Sequence, residues 1–439
     1  MLVLKFGGTS VGSAHRIKEV ATLINNNNQK IVVLSAMSGT TNNLVEITGY
    51  LYKKNNEGAN EAISVLEKQY YQVVNDLFSS KEYKNKGVEL IKSHFTYIKS
   101  FTQDMFTLFE EKAILAQGEL LSTALMHYYL SEQNINSALI PALNFMRTDK
   151  DGEPDLFYIK ENISREISNH PKNTLLITQG FICRNTFGEI DNLKRGGSDY
   201  SASLIGVACG ASEIQIWTDI DGMHNNDPRY VENTKPLATL SFDEAAELAY
   251  FGAKILHPAS VQPCKIANIP VRLKNTIQPK AAGTIISSET ETNGIKAIAV
   301  KDNITAIKIK SGRMLLAHGF MRKVFEIFET YKTSIDMITT SEVAVSVTID
   351  DTKFLTEIVD ELKKYGTVEV DNNLSIVCVV GDFIAESKGY ALSIFGALKD
   401  ISIRMISYGG SRHNVSLLVN TSDKKETLNS LNKTLFIHV

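Results

Sequence analysis

The chain contains few cysteines, prolines and tryptophans. Its 439 residues include four cysteines, one tryptophan and nine prolines. The cysteines are Cys183, Cys209, Cys264 and Cys378, and no two of them lie within four positions, so they form no CxxC-type metal motif. Four scattered thiols in a chain of this length are typical of a reducing compartment.

Neither sign of charge is in excess. Lys and Arg number 46 against 49 for Asp and Glu, giving a net charge of −3, which is not the basic footprint of a nucleic-acid binder. The opening MLVLKFGGTS lacks the pattern of a signal peptide. No apolar run approaches the roughly 18 residues that a membrane span needs. We therefore expect a cytoplasmic protein that binds neither nucleic acid nor membrane.

The first part of the chain has the pattern of an α/β domain. An apolar run at 2–4 leads into a glycine turn, and apolar residues at helical spacing follow over 17–24. A second apolar run at 31–34 completes a β-loop-α-β opening. Residues 58–130 are expected to be mostly helical, with further strands at 174–178 and 213–217.

The composition changes near residue 290, where the polar stretch 287–293 is typical of a linker. Beyond it the chain repeats itself. Gly319 recurs as Gly389, 70 positions later, and Ser334–Ile338 has a counterpart in Ser402–Ile406. The repeat predicts two small α+β modules; a coincidence between two helix–strand units is the alternative.

Two glycine-rich loops stand where helices begin. Lys5–Ser10 follows the first strand, and glycines there let backbone N–H groups approach a phosphate at the positive end of a helix. The loop 195–202, RGGSDYSA, adds a guanidinium suited to a substrate carboxylate. Either loop taken alone also fits a plain tight turn.

Three further charged groups stand out. Glu119 lies on a mostly apolar helical face, where a buried carboxylate needs a cationic partner such as a substrate ammonium; a partly solvated Glu is the alternative. The 218–222 stretch, TDIDG, follows a strand and could contact Mg²⁺ or a nucleotide, although such turns are common. Lys254 could cap a helix or reach a phosphate.

Taken together, these segments resemble the aspartate kinases of the amino-acid kinase family. The matching stretches occur in the family's order and are KFGGTS (5–10), SAMSGTTN (35–42), QGE (117–119), RTD (147–149), TQGFI (178–182), RGGSDYSA (195–202), WTDIDG (217–222), DPR (227–229), ELAYFGAKILHP (247–258) and ITTSE (338–342). The resemblance implies an α/β amino-acid kinase fold, a three-layer αβα sandwich, followed by two ferredoxin-like α+β ACT modules. Since the chain stops at 439, it resembles the single-activity enzymes rather than those that continue into a homoserine dehydrogenase.

The resemblance also implies roles for individual residues. It predicts that Lys5 and Asp199 are catalytic, with Lys5 neutralising charge on the transferring phosphoryl group. The residues expected to bind ATP are Lys5, Gly7, Gly8, Thr9, Thr218, Asp219, His224, Arg229 and Lys254. Those expected to bind L-aspartate are Thr41, Glu119, Arg195, Gly196, Gly197 and Ser198. Mg²⁺ is expected to arrive with ATP rather than in a side-chain cage.

The implied reaction is attack of the aspartate β-carboxylate on the γ-phosphate of ATP, the first step toward lysine, threonine and methionine. The ACT modules imply a homodimer and feedback inhibition by an amino acid. The stretch TTS at 339–341 favours lysine over threonine, and the effector residues implied are Ser334, Ile335, Asp336, Thr340, Ser341 and Glu342. Two alternatives remain: a kinase of the same fold with another acyl acceptor, and a catalytically silent amino-acid sensor.

The predicted domains are a kinase domain at 1–290, a first ACT module at 311–381, and a second module made of 296–310 and 382–439. Three positions depart from the family's pattern: Lys194 beside the second glycine loop, Cys183 after the QGFI stretch, and His224 near the nucleotide base. None of the three removes a charged group that the chemistry requires.

Overall fold

A computed structural model describes residues 1–439 except 27–28, 104, 172–173, 194–195, 253–255, 289–293, 313–317, 383–385, 387 and 437–439. The chain forms two compact units. The first contains Met1–Met223, Ala238–Phe242 and Ile255–Glu289, and the second contains His224–Leu237, Asp243–Lys254 and Thr290–Val439. The predicted kinase domain, 1–290, therefore differs from the first unit, because two of its segments cluster with the C-terminal part. Among the described residues, no helix combines the length and apolar composition needed to cross a membrane.

An eight-stranded sheet forms the centre of the first unit. The strands of this unit are, in chain order, β1 Leu2–Phe6, β2 Lys30–Leu34, β3 Ser137–Leu139, β4 Leu175–Gln179, β5 Ile182–Arg184, β6 Ile190–Asn192, β7 Glu213–Thr218, β8 Thr239–Ser241, β9 Val271–Asn275 and β10 Thr284–Ser287. The sheet has the order β3-β4-β2-β1-β7-β9-β10-β8, while β5 and β6 form a separate hairpin. All neighbours in the sheet are parallel except β9 and β10.

Helices cover both faces of this sheet. The helices in the described part of residues 1–290 are α1 Ala14–Ile24, α2 Thr40–Tyr52, α3 Asn56–Leu77, α4 Lys81–Ser100, α5 Leu108–Leu115, α6 Gln117–Glu132, α7 Ala142–Phe145, α8 Leu156–Ser168, α9 Gly197–Cys209, α10 Phe242–Tyr250 and α11 Pro258–Ala267. Side chains alternate between faces along each strand. Leu4 and Phe6 join a core with α1–α4 and α6, whereas α9 contacts β1 and β7. This arrangement confirms the predicted three-layer αβα fold.

The second unit contains a six-stranded antiparallel sheet with the order β12-β13-β11-β14-β16-β15. Its strands are β11 Gly294–Lys310, β12 Ile338–Thr340, β13 Ala344–Ile349, β14 Thr367–Asp382, β15 Ile403–Tyr408 and β16 Asn414–Asn420. Its helices are α12 Phe320–Thr330, α13 Leu355–Leu362, α14 Tyr390–Ala397 and α15 Lys424–Phe436. Gly319 and Gly389 precede α12 and α14 with φ of 82° and 92°, a conformation that glycine adopts without strain. The predicted repeat is therefore present in the backbone.

The boundary between the two modules differs from the predicted one. Ile307 and Ile309 of β11 pack with α12, α13 and β13 in one core, whereas Ile298 and Val300 pack with β16 and α15 in another. Strand β11 therefore serves both modules, and its residues 305–310, which pair with β13, belong with the first module rather than the second. The switch coincides with a register irregularity between Lys301 and Ile304.

Strand β14 is divided in the same way. Val368 packs in the first core and Val377 in the second, so the first module does not extend to residue 381. Asn373, at the switch in β14, and Asn303, at the switch in β11, both have positive φ, 59° and 60°. Two long shared strands, each broken by a left-handed residue, thus join the modules.

A core substitution tests the helical layer that lies over the sheet. Phe95 of α4 is fully buried against Tyr70. We expect Phe95→Ala to lower the free energy of unfolding by about 3–5 kcal/mol through lost burial and a cavity. Val88→Ala, on the same helix but 40% exposed, should cost less than about 0.5 kcal/mol. Urea unfolding followed by the fluorescence of Trp217, the chain's single tryptophan, measures both; equal costs would contradict the packing described.

Candidate active site

A polar cavity of about 310 Å³ opens in the first unit beside the carboxyl ends of the parallel strands. Open α/β sheets generally bind ligands at this edge. The cavity is lined by the β1–α1 and β2–α2 loops, the starts of α2 and α9, helix α6 and the β4–β5 turn. The lining residues are Gly8, Ser35, Ala36, Met37, Ser38, Gly39, Thr41, Asn42, Glu119, Phe181, Gly197 and Ser198.

An ion pair lies next to the residues that line this cavity. Lys5 Nζ is 2.7 Å from Asp199 Oδ1, and the two side chains are only 12% and 16% exposed. Lys5 is placed by β1, and Asp199 by the first turn of α9. The two residues predicted to be catalytic are therefore in contact, and the carboxylate fixes the ammonium at the end of the strand.

The first glycine loop packs tightly on the β2–α2 loop. A Cβ added at Gly8 would lie 3.0 Å from the Ala36 carbonyl oxygen, so a side chain there would press the two loops apart. Ser38 donates its backbone N–H to Gly8 O at 3.1 Å, and Gly7 donates its own to Trp217 O at 3.2 Å. Since the Gly7 amide already has an acceptor, it is not one of the free donors that the glycine motif suggests.

Glu119 is the most unusual group in the cavity. It is 4% exposed. Its Oε1 accepts the Ala36 N–H at 3.1 Å, while Oε2 has no hydrogen-bond partner within the described parts of the chain. Burial raises the pKa of this carboxyl to about 8, against an ordinary 4.5, even though the Ala36 bond and Lys5 both favour the ionised form. The Glu119 carboxyl is therefore mostly protonated at neutral pH.

Ser198, at the start of α9, also lines the cavity. It is 8% exposed, and a Cβ added at Gly180 would lie 2.5 Å from the Ser198 Cβ. Only glycine fits at 180, so the β4 turn can approach the helix start closely. Thr41 lies on the outer rim and is exposed. Glu119, Ser198, Gly197 and Thr41 therefore line one cavity, and their roles in binding a substrate stay predictions.

Several lining residues were not singled out from the sequence. Phe181 adopts φ of +67°, which is strained for a bulky side chain, and its N–H donates to Ser201 Oγ at 2.8 Å. Ala36 supplies the amide that holds Glu119. Phe181 lies in the TQGFI stretch and Ala36 in the SAMSGTTN stretch. Both stretches were matched to the family as a whole, and this match did not predict what either residue does.

Comparison with known proteins places the chain in a family. The sequence pattern of the amino acid kinase family matches residues 1–275, and that of an ACT domain matches 377–435. The lysine-sensitive aspartokinase 3 of Escherichia coli is 34% identical over 454 residues, 99% of each chain. The chain belongs to the aspartokinase family.

Other relatives agree with this assignment. The chloroplastic aspartokinase 1 of Arabidopsis thaliana is 34% identical over 470 residues, covering 99% of this chain and 80% of its own length. The crystal structure of E. coli aspartokinase III with aspartate and ADP matches with a TM-score of 0.84 at 32% identity, covering 99% of this chain and 100% of the other. The same enzyme with lysine and aspartate has a TM-score of 0.85. The family and both parts of the predicted fold are thereby confirmed.

Two cations that the aspartokinase resemblance singles out, Arg195 and Lys254, lie outside the described residues, as does Lys194. The described neighbour Gly196 has φ of 65° at the start of α9. Their assigned roles therefore stay predictions from the sequence.

The remaining residues predicted to bind nucleotide fall in both units. Thr218 and Asp219 follow β7 in the first unit, and the Thr218 hydroxyl donates to Asp219 Oδ1 at 3.0 Å. His224 and Arg229 belong to the second unit. His224 Nδ1 is 2.9 Å from Thr234 Oγ1. The Arg229 guanidinium donates a bidentate pair of hydrogen bonds to the Asp227 carboxylate, and the Arg229 side chain is 74% exposed.

Cys183, one of the departures from the family's pattern, is fully buried. Burial, with the nearby Asp191 carboxylate, raises the pKa of its thiol to about 12. Cys183 is therefore a packing residue. All four cysteines are free thiols, and among the described residues no group of three His, Cys, Asp or Glu side chains could hold a metal ion.

Of the six predicted effector residues, Asp336 alone has a buried ion pair. Its side chain is 1% exposed and lies 2.6 Å from Lys301 Nζ. Thr340 pairs with Val345 between β12 and β13, and the Ser341 N–H donates to Ala344 O. Ser334 and Glu342 are exposed and Ile335 is half-buried.

The raised pKa of Glu119 predicts how stability varies with pH. Below pH 4.5 the carboxyl is protonated in the folded and the unfolded chain alike. Between pH 4.5 and about 8 only the unfolded chain releases the proton, so folding loses about 1.4 kcal/mol per pH unit from this group. Glu119→Gln cannot release this proton. The unfolding free energy of the variant minus that of wild type should therefore increase by about 1.4 kcal/mol per pH unit from pH 5.5 to 7.5. Parallel pH curves in urea unfolding would refute the burial argument.

Proposed function

We propose that this chain is an ATP-dependent aspartate kinase that transfers the γ-phosphoryl group of ATP to the β-carboxylate of L-aspartate. The products are 4-phospho-L-aspartate and ADP. The observation that carries the proposal is the unpaired Oε2 of the buried Glu119, in a cavity beside Lys5 and Asp199. An aspartokinase relative was crystallised with aspartate and ADP, which supports both substrates.

Aspartate recognition follows from the charges of the cavity. The substrate ammonium would donate to Glu119 Oε2 and draw that carboxyl into its ionised form, because an adjacent cation lowers a carboxyl pKa. Thr41, Ser198 and the backbone at Gly196 and Gly197 would bind the remaining polar atoms. Arg195 is suited by its residue type to a bidentate bond with the α-carboxylate.

Phosphoryl transfer needs positioning and charge neutralisation more than proton chemistry. The β-carboxylate is already ionised at neutral pH, so an oxygen of this group attacks the γ-phosphorus without a general base, while the bond to the ADP oxygen breaks. Lys5, held by Asp199, would neutralise the transferring group. Gly7, Gly8 and Thr9 would line the phosphates, and Thr218, Asp219, His224, Arg229 and Lys254 would contact the nucleotide.

Mg²⁺ belongs to this proposal as a companion of ATP. When bound, it would neutralise charge on the phosphate oxygens. Asp199 is a described carboxylate beside the expected phosphate position, and the residues present fit a metal that arrives on the nucleotide.

Regulation and assembly complete the proposal. Lysine is the proposed feedback inhibitor, supported by the lysine-sensitive relative, and it would act on the first step toward lysine, threonine and methionine. Inhibition would be a shift of population between two arrangements of the protein. A homodimer formed through the ACT modules and a cytoplasmic location, supported by the four free thiols, are also proposed.

A measurement of ADP release distinguishes two other functions from this one. A kinase of the same fold acting on another acyl acceptor would release ADP with that acceptor and not with aspartate. A silent amino-acid sensor would release none; the intact pair of Lys5 and Asp199 opposes that function.

A charge-removing substitution tests the proposal. ADP release with Mg-ATP and aspartate should proceed in wild type and fall at least about a hundredfold in Lys5→Met, since the variant keeps the aliphatic stem but loses the neutralising charge. Lys68→Met, on an exposed turn of α3, is the matched control and should keep its activity. Circular dichroism should show both variants folded. Near-normal turnover in Lys5→Met would refute the assignment of the phosphate loop.

A further inference from the structure

The C-terminal helix α15 begins with a buried lysine that the proposed reaction does not use. Lys424 is 8% exposed, although lysine is among the residues least often buried. Its Nζ lies 2.8 Å from Asp302 Oδ2 and donates to the Tyr230 hydroxyl at 2.9 Å. Burial alone would lower the pKa of Lys424, but these two partners raise it, so the ammonium is charged. Because desolvation offsets much of the attraction in such an ion pair, stability alone does not account for it.

Tyr230 belongs to a segment, 224–237, that lies in the same compact unit as α15. Its neighbour Val231 is buried in one core with Leu428 of α15. The Asn226 side-chain amide, itself buried, donates to the Leu428 carbonyl oxygen at 3.3 Å. The segment is therefore held against the terminal helix by a core contact and a hydrogen bond as well as by Lys424.

The same segment carries Arg229, one of the residues proposed to contact the nucleotide. Nε and Nη2 of Arg229 donate to the Asp227 carboxylate, and the Arg229 side chain is 74% exposed, so a nucleotide can reach it. Burial alone would raise the pKa of Asp227, but the bonds from Arg229 and the charges of Arg229 and Lys424 lower it. Asp227 therefore stays ionised beside two cations, and this carboxylate orients the guanidinium.

We propose that Lys424 is a positioning residue for the nucleotide: it fixes Tyr230 by a hydrogen bond, stabilises the Asp227 carboxylate by its charge, and thereby places Arg229 for binding ATP. The inference rests on the proposed function, because it takes Arg229 to contact the nucleotide. It adds a requirement that the aspartokinase resemblance does not indicate. The last helix of the second ACT module must be in place for full nucleotide affinity, although Lys424 itself does not touch the nucleotide.

Loss of the Lys424 charge should leave the fold intact. The Asp302 side chain is 36% exposed and accepts a hydrogen bond from the Ser375 hydroxyl at 2.7 Å, so its carboxylate stays solvated when the ammonium is gone. Lys424 Nζ lies 4.2 Å from the centre of the Tyr230 ring, and a methionine side chain can pack on the same ring. The Lys424→Met variant therefore separates the position of the segment from its stability.

The test measures nucleotide and aspartate affinity separately in the full-length protein. Calorimetric titration with Mg-ADP should show binding about tenfold weaker in Lys424→Met than in wild type, because the charged bond that fixes the segment is lost. Aspartate affinity should not change, and the KM for ATP should rise while the KM for aspartate stays the same. Lys425→Met is the matched control, since it makes the same change at the next, exposed position of α15. It should bind Mg-ADP like wild type.

The possible failures are distinguishable. Equal Mg-ADP affinity in Lys424→Met and wild type would overturn the positioning role and leave the kinase proposal intact. Equal losses of affinity for Mg-ADP and for aspartate would also overturn it, because a general loss of structure weakens both. A wild-type protein that binds no Mg-ADP would contradict the proposed function, and this inference with it.

A second variant covers the case in which Lys424→Met does not fold. Tyr230→Phe removes the hydroxyl that accepts the Lys424 bond and keeps the ring that packs against the core of the second module. It should weaken Mg-ADP binding about threefold or more and leave aspartate binding unchanged. Mg-ADP binding of wild-type strength in Tyr230→Phe would overturn the role of Lys424 in positioning the segment.

Discussion

The burial of one carboxyl group, that of Glu119, is the constraint on which the arrangement of the first unit depends. Helix α6 brings it beneath the loop after β2, and the Ala36 amide holds one of its oxygens. The other oxygen has no partner in the described structure, and burial raises the pKa of the group. The folded chain thus contains a buried carboxyl with one unpaired oxygen, and a substrate ammonium would donate to that oxygen.

An ion pair, Lys5 with Asp199, lies near this carboxyl. Lys5 at the end of β1 and Asp199 at the start of α9 meet only because the central parallel strands end together. Gly8 and Gly180 have no room for a side chain, so the loops can close around the cavity. Glu119 of α6 and the pair of Lys5 and Asp199 therefore lie beside the same edge of one sheet.

Much of this arrangement could be predicted from the sequence, because the relevant residues sit in short motifs at strand ends. Lys5, Glu119, Asp199 and Ser198 were predicted by residue type and by resemblance, and the fold class followed from the same pattern. The division of β11 between two modules was not predicted, because the strand runs on through its polar stretch Lys301–Asn303 with only a register irregularity, instead of ending there. The contact between Tyr250 and Asp336, 86 positions apart, also leaves no local signal, because tertiary packing alone creates it.

Proton release on substrate binding tests the role of Glu119 most directly. Aspartate binding can be titrated calorimetrically at pH 7 in buffers that differ in ionisation enthalpy. With a pKa of about 8 in the free protein, close to one proton should leave as the substrate ammonium pairs with the carboxylate. Glu119→Gln should bind aspartate more weakly and release none. Binding without proton release in wild type, or equal affinity in the variant, would contradict the account.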